Sequence, residues 1–115
     1  MNRAEFDAFC GGMKGAAHVV QWGGSSVWKV GGKVFAIHAD WGKRGEGVVL
    51  KPSEFLGEVW RGAAGVSPAP YLGKNGWLLI APGAMGAGEL GDLIRASHGL
   101  AAAKLTRKVR EGLGV

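Results

Sequence analysis

The chain holds a single cysteine, Cys10, which excludes any intrachain disulfide. Its first residues, MNRAEFDAF, have no uninterrupted apolar run of the kind a signal peptide requires, so a cytoplasmic location is the expectation. Nowhere does the sequence approach the roughly 20 consecutive apolar residues of a membrane span, which leaves no role for a membrane partner. Nor is it poor enough in apolar residues to stay unfolded: 47% are hydrophobic and 20% charged. With 115 residues and no repeat, low-complexity tract or linker, residues 1–115 read as one domain.

Catalytic and cofactor motifs are missing as well. His18, His38 and His98 are dispersed, and no HExxH, CxxC or paired-histidine spacing suggests zinc. "GKVFAI" and "GKRGEG" lack the spacing of a phosphate-binding P-loop. "GAMGAG" spaces its glycines as GxxGxG, the reverse of a dinucleotide fingerprint. Cys10 falls on the inner face of an expected helix, where a thiol behaves as a small hydrophobe. The expectation is a protein that is not an enzyme and carries no cofactor.

What the sequence has in quantity is glycine, 22 residues, and positive charge, 14 Lys and Arg against nine Asp and Glu. The charge is clustered. Residues 27–51 carry five basic against two acidic side chains, and residues 95–115 carry five against one. Two basic segments in one small domain fit an anionic partner such as nucleic acid.

Phe6, Phe9, Cys10 and Met13 recur at i, i+3, i+4 and i+7, which predicts an amphipathic helix over 3–13. "AAHVVQW" reads as a strand leading into a Gly-Gly-Ser-Ser turn. "SSVWKVGGKVFAIH" then reads as a hairpin about Gly31-Gly32. A two-residue turn sets Val30 opposite Lys33, Lys29 opposite Val34 and Trp28 opposite Phe35. By alternation Trp28, Val30, Phe35 and Ile37 share a core face, and Val27, Lys29, Val34, Ala36 and His38 a half-wet one. "DWGKRGEG" is a loop tipped by Lys43 and Arg44, and "VVLK" a further strand. Residues 52–63 read as a helix with Phe55 and Val59 inward, joined by Leu56 and Trp60, residues 65–76 as a Pro/Gly-rich connection, and "WLLI" as a buried strand. A last helix runs from about Glu89 to Arg110. Lys104 and Lys108 fall within its apolar arc, so its final turns are expected to project past the core.

The segments "VWKVGGKVFAI", "VVLKPSEF", "GVSPAPYLGKNGWLLI" and "RASHGLAAAKLTRKVR" resemble the MmcQ/YjbR family of small, mainly bacterial proteins, from about Phe6 to Arg110. The most specific parts are Lys29, Gly31, Gly32, Lys33 and Phe35 of the hairpin, Lys74 and Trp77, and Ala103 to Leu105. The resemblance implies an α+β domain, an antiparallel sheet with helices packed on one face, similar to CyaY and frataxin. It also implies DNA binding of the "double wing" type, with no catalytic residues. The sequence departs from the family where Gly73 and Gly76 replace the usual Asn and His around Lys74 and Trp77. Frataxin-like iron handling needs clustered carboxylates, whereas the first helix offers only Glu5 and Asp7.

The reading that follows is non-enzymatic binding of DNA, chiefly through its phosphates. The expected contacts are Lys29 and Lys33 of the hairpin, Lys43 and Arg44 of the loop, Lys74, and Lys104, Arg107, Lys108 and Arg110 of the last helix. Trp41 is placed either as a base-stacking ring or, the favoured assignment, as a loop anchor. The alternative is a module that binds an acidic protein or a small ligand on the open sheet face around Lys29, Val34 and His38.

Overall fold

The computed structural model describes residues 1–115. Asn2 starts helix α1 (Arg3–Gly11): its Oδ1 accepts from Glu5 N at 2.8 Å, while Glu5 Oε1 accepts from Asn2 N at 2.9 Å. This reciprocal cap satisfies two backbone donors at the helix start. Six strands follow, β1 (Ala16–Gln21), β2 (Ser25–Val30), β3 (Lys33–Asp40), β4 (Glu46–Leu50), β5 (Val66–Pro68) and β6 (Leu78–Ile80). They form one antiparallel sheet in the order β1-β2-β3-β4-β6-β5. Helix α2 (Glu54–Trp60) lies between β4 and β5; α3 (Ala87–Ala103) and α4 (Arg107–Leu113) follow β6. The α+β class with an antiparallel sheet is therefore as expected.

The helices cover one sheet face. Phe6 and Cys10 of α1 and Leu90, Leu93 and Ile94 of α3 pack on Trp28, Val30, Phe35, Val48, Leu50 and Leu78. The other face is not open, contrary to the sequence reading. Cross-strand partners Val27, Ile37, Val49 and Leu79 run across four strands, all at least nine-tenths buried. The chain between β5 and β6 covers them with Ala69, Leu72 and Trp77, and Trp41 closes one side.

The hairpin register accounts for this second core. Val30 faces Lys33 and Lys29 faces Val34 as predicted, but Trp28 pairs with Ala36 because Phe35 is the extra residue of a β-bulge. A bulge adds one residue to one strand and thereby reverses the alternation beyond it. Ile37 consequently joins Val27 on the second face, and His38 turns to the helix face, where its ring lies 5.5 Å from that of Phe6. The expected binding face around Lys29, Val34 and His38 does not exist as one surface.

Three further expectations are corrected. Of the four α2 residues expected inward, Phe55 and Val59 point outward, and Leu56 and Trp60 alone supply its packing face. The Pro/Gly-rich connection contains the edge strand β5. The last helix is two helices: α3 ends at Lys104, and Thr106 caps α4 by accepting from Val109 N at 3.3 Å. Lys104 and Lys108 therefore never share one helical stripe, which removes the conflict their spacing posed.

Candidate nucleic-acid interface

Lys33 starts β3 immediately after the Gly31-Gly32 turn. Because β4 runs antiparallel to β3 with Leu50 opposite Ala36, Lys51 emerges at that same end of the sheet. Lys104 closes α3 beside them. With Val34, Trp77, Ser97, Leu100 and Ala101, these three lysines line one cleft of about 190 Å³. The first basic segment and the start of the second thus meet on one side of the molecule.

The cleft is held by a buried serine. Ser97 Oγ donates to Phe35 O at 2.6 Å and accepts from Lys51 N at 3.1 Å. The bulge leaves Phe35 without a partner on β2, so its carbonyl needs a donor from elsewhere. Ser97 supplies it and at the same time fixes the backbone from which Lys51 projects.

No carboxylate lines the cleft. The ion pairs of the chain are Asp92 with Arg95 and Glu111 with Arg107, and His18 lies 4.0 Å from Asp7; none of these contacts involves a cleft lysine. Three ammonium groups brought together without a counter-charge repel one another and raise the local concentration of anions.

The remaining candidate residues divide. Lys29 faces Val34 across the hairpin, adjacent to the cleft. Lys74 sits in the 3-10 turn Gly73–Asn75, three residues before Trp77. Arg107 is tied to Glu111 at 3.0 Å and Lys108 is exposed in α4. Arg110 faces a different hollow, with Lys14 and His98. Lys43 and Arg44 lie beyond the far end of β3, about 23 Å from Lys33 at strand rise, so the loop tip and the hairpin turn are separate patches. Lys51 was not anticipated as a site residue. Its only sequence signal was its position at the end of "VVLK", and pairing of β4 with β3 is what brings it to the cleft.

Trp41 acts as an anchor: Nε1 donates to Ser25 Oγ at 3.2 Å and the ring packs on the second core. Arg44 lies over the Tyr71 ring, 5.4 Å from its centroid.

A second polar cluster has the residue types of a hydrolytic triad without its geometry. Asp7 Oδ1 accepts from Ser26 Oγ at 2.5 Å and from Trp28 Nε1 at 2.9 Å, and His18 Nε2 lies 2.7 Å from Ser26 Oγ. In a triad the carboxylate orients the histidine and the serine is exposed to substrate. Here the carboxylate holds the serine, which is fully buried. Partial burial pushes the Asp7 carboxyl up, but the hydrogen bonds from Ser26 and Trp28, with the charges of His18 and Arg3, outweigh it and hold the carboxyl below its usual range. The cluster fastens α1 to β2. Burial pushes the Cys10 thiol up to about 12, so it stays protonated. No group of three or more His, Cys, Asp or Glu side chains is arranged to hold a metal ion.

No curated protein matches the chain. Among solved structures it is similar to the crystal structure of a protein from Pseudomonas syringae, with a TM-score of 0.68 and 23% identity over 88% of this chain and 99% of that one. At that identity the likeness speaks for the fold alone. The family model described as YjbR matches residues 11–100, from the end of α1 through most of α3, and the chain belongs to the YjbR family.

Proposed function

We propose that this YjbR domain binds DNA without catalysing a reaction on it, holding the phosphate backbone in the cleft of Lys33, Lys51 and Lys104. The observation that carries this reading is the convergence of three lysines from three elements on a cleft that has no carboxylate. Phosphate oxygens provide the counter-charge that the fold omits, and release of condensed counterions makes such contacts favourable at modest salt. Trp77, in the cleft wall, supplies an apolar surface against a sugar or a base edge. Lys29, opposite Val34 of the cleft, extends the positive surface, and Lys74 and Lys108 are further candidate phosphate contacts. The "double wing" description that accompanies the family resemblance agrees with this reading.

Lys43 and Arg44 stand too far from the cleft to touch the same phosphate. They contribute only to a strand that runs along the sheet. An acidic protein would meet the same lysines, but its affinity would rest on apolar anchors and depend little on salt.

Amide chemical-shift mapping with a random-sequence oligonucleotide tests the assignment. Perturbations centred on Lys33, Val34, Lys51, Trp77 and residues 97–104 are expected. Perturbations confined to α4, or to none of these residues, would contradict it.

A further inference from the structure

At the far end of β3, on the second sheet face, lies an open pocket of about 510 Å³. Ile37 forms its floor, Trp22 enters from the β1–β2 turn, Trp41 follows β3, and Pro70, Tyr71 and Leu72 come from the chain between β5 and β6. The Trp41 ring, fixed by its bond to Ser25, meets the Tyr71 ring edge-on at 5.9 Å. Trp22 and Tyr71 nevertheless remain 51% and 73% exposed, with large aromatic surfaces facing water.

The backbone singles out the same two residues. Trp22 has φ +53 and Tyr71 φ +68, and they are the only non-glycine residues of the chain with positive φ. That conformation is unfavourable for a bulky side chain, and such residues concentrate at binding sites. Both unfavourable conformations serve to present a ring to one pocket.

Charge narrows the occupant. The Arg44 guanidinium lies over Tyr71, with Lys43 beside it in sequence. Of the nearest acidic residues in sequence, Glu46 lies in the rank that alternates with Ile37 and Ala39 and projects to the helix side with His38, while Asp40 Oδ1 accepts from Gly42 N at 3.2 Å at the base of the loop; neither lines the pocket. The pocket therefore offers apolar aromatic walls and a cationic rim. Arg44 disfavours a quaternary ammonium or other cation, whereas a flat ring attached to a phosphate satisfies both walls and rim.

We infer that the pocket takes an unstacked base of single-stranded nucleic acid, stacked against Trp22 and Tyr71, with Arg44 and Lys43 on the adjoining phosphate. The inference rests on the phosphate-binding reading of the lysine cleft and extends it to a substrate form. Val34 lines the cleft and Ile37 lines the pocket. They lie on one strand beneath the chain of Leu72 and Trp77 that covers the second core, so a nucleic-acid strand bound at both places crosses that covering chain. A cationic groove combined with aromatic platforms is how single strands are held without sequence preference, and duplex bases, stacked and paired, do not reach such platforms.

The test compares a labelled oligothymidylate of about 12 nucleotides, within the usual site size, with an abasic phosphodiester of the same length and charge. Wild type and the Trp22→Ala, Tyr71→Ala and Tyr71→Phe variants are titrated at one low salt concentration, with thermal unfolding as a check on folding. Wild type is expected to bind the thymidylate about tenfold or more tightly than the abasic strand. Trp22→Ala and Tyr71→Ala should abolish most of that preference while abasic binding stays unchanged, and Tyr71→Phe should retain it. Equal binding of both strands by wild type would overturn the base pocket and leave the phosphate cleft standing. Loss of binding to both strands would overturn the cleft reading and this inference with it. Thymidine monophosphate binding as tightly as the strand would assign the pocket to free nucleotides and also overturn the proposal.

Discussion

Leu105 sits directly on Gly31: a Cβ placed on that glycine would lie 2.6 Å from Leu105 Cδ1. This contact seats the break between α3 and α4 on the β2–β3 turn, and it is why Lys104 and Lys33 share a cleft. Gly31 also has φ +55, a conformation that favours glycine. Gly31→Ala is expected to destabilise the domain by about 1–2 kcal/mol, combining the backbone cost with displacement of Leu105. Gly32→Ala, at φ +80 with nothing near its Cβ, isolates the backbone cost and should lose about 1 kcal/mol. Urea denaturation of the two variants gives the difference.

Asp7 holds Ser26 and Trp28 through one carboxylate oxygen. Asp7→Ala leaves the Trp28 indole N–H without its acceptor and turns the buried Ser26 hydroxyl to His18 Nε2, 2.7 Å away, and should cost about 1–3 kcal/mol. Asp7→Asn keeps an acceptor without the charge, and is expected to recover roughly half of that loss. The midpoints of chemical denaturation compare the two.

Acid should weaken the fold in two steps. Burial, aided by the charge of Arg3, lowers the His38 pKa below its ordinary 6.5. The unfolded chain therefore binds the proton more readily, and stability falls as pH drops from about 6.5 through the lower folded value. Asp7, also lowered, contributes stability that is present above its ordinary 3.8 and lost as pH falls through its folded value. Thermal unfolding between pH 7.5 and 5 should show the first step, and His38→Gln should flatten it while leaving the more acidic step in place.

Cys10 is fully buried, with its thiol pushed up to about 12. A thiol reagent at neutral pH should leave it unmodified in the native protein and react promptly in denaturant. Fast native-state labelling would mean that α1 detaches readily from the sheet.

Much of the fold was legible from periodicity and turn chemistry. The α1 stripe of Phe6 and Cys10, the Gly31-Gly32 turn and the buried strand at 78–80 all follow from local spacing. The bulge at Phe35 did not, because nothing in "KVFAIH" marks an extra residue; its consequence is tertiary, a second core that takes Ile37 and Val27. The break at Lys104 had a signal, Thr106 at a helix start, that the apolar run through Leu105 concealed. Phe55 and Val59 misled because their spacing is compatible with a buried face, and only the packing of Leu56 and Trp60 decides which side is buried. Of the site, Lys33 and Lys104 stood out as charges on recognisable elements. Lys51 required the β3–β4 pairing, and the pocket of Trp22 and Tyr71 required loops distant in sequence to meet.

The most direct measurement is the salt dependence of DNA binding, by fluorescence anisotropy of a labelled random-sequence duplex and a labelled single strand. It compares wild type with the combined Lys33→Ala, Lys51→Ala, Lys104→Ala variant. The account predicts micromolar binding by wild type at low salt and a log–log salt slope about three units shallower in the variant, roughly one per lysine removed. Unchanged affinity and slope in the variant, or no binding by wild type even at low salt, would contradict it.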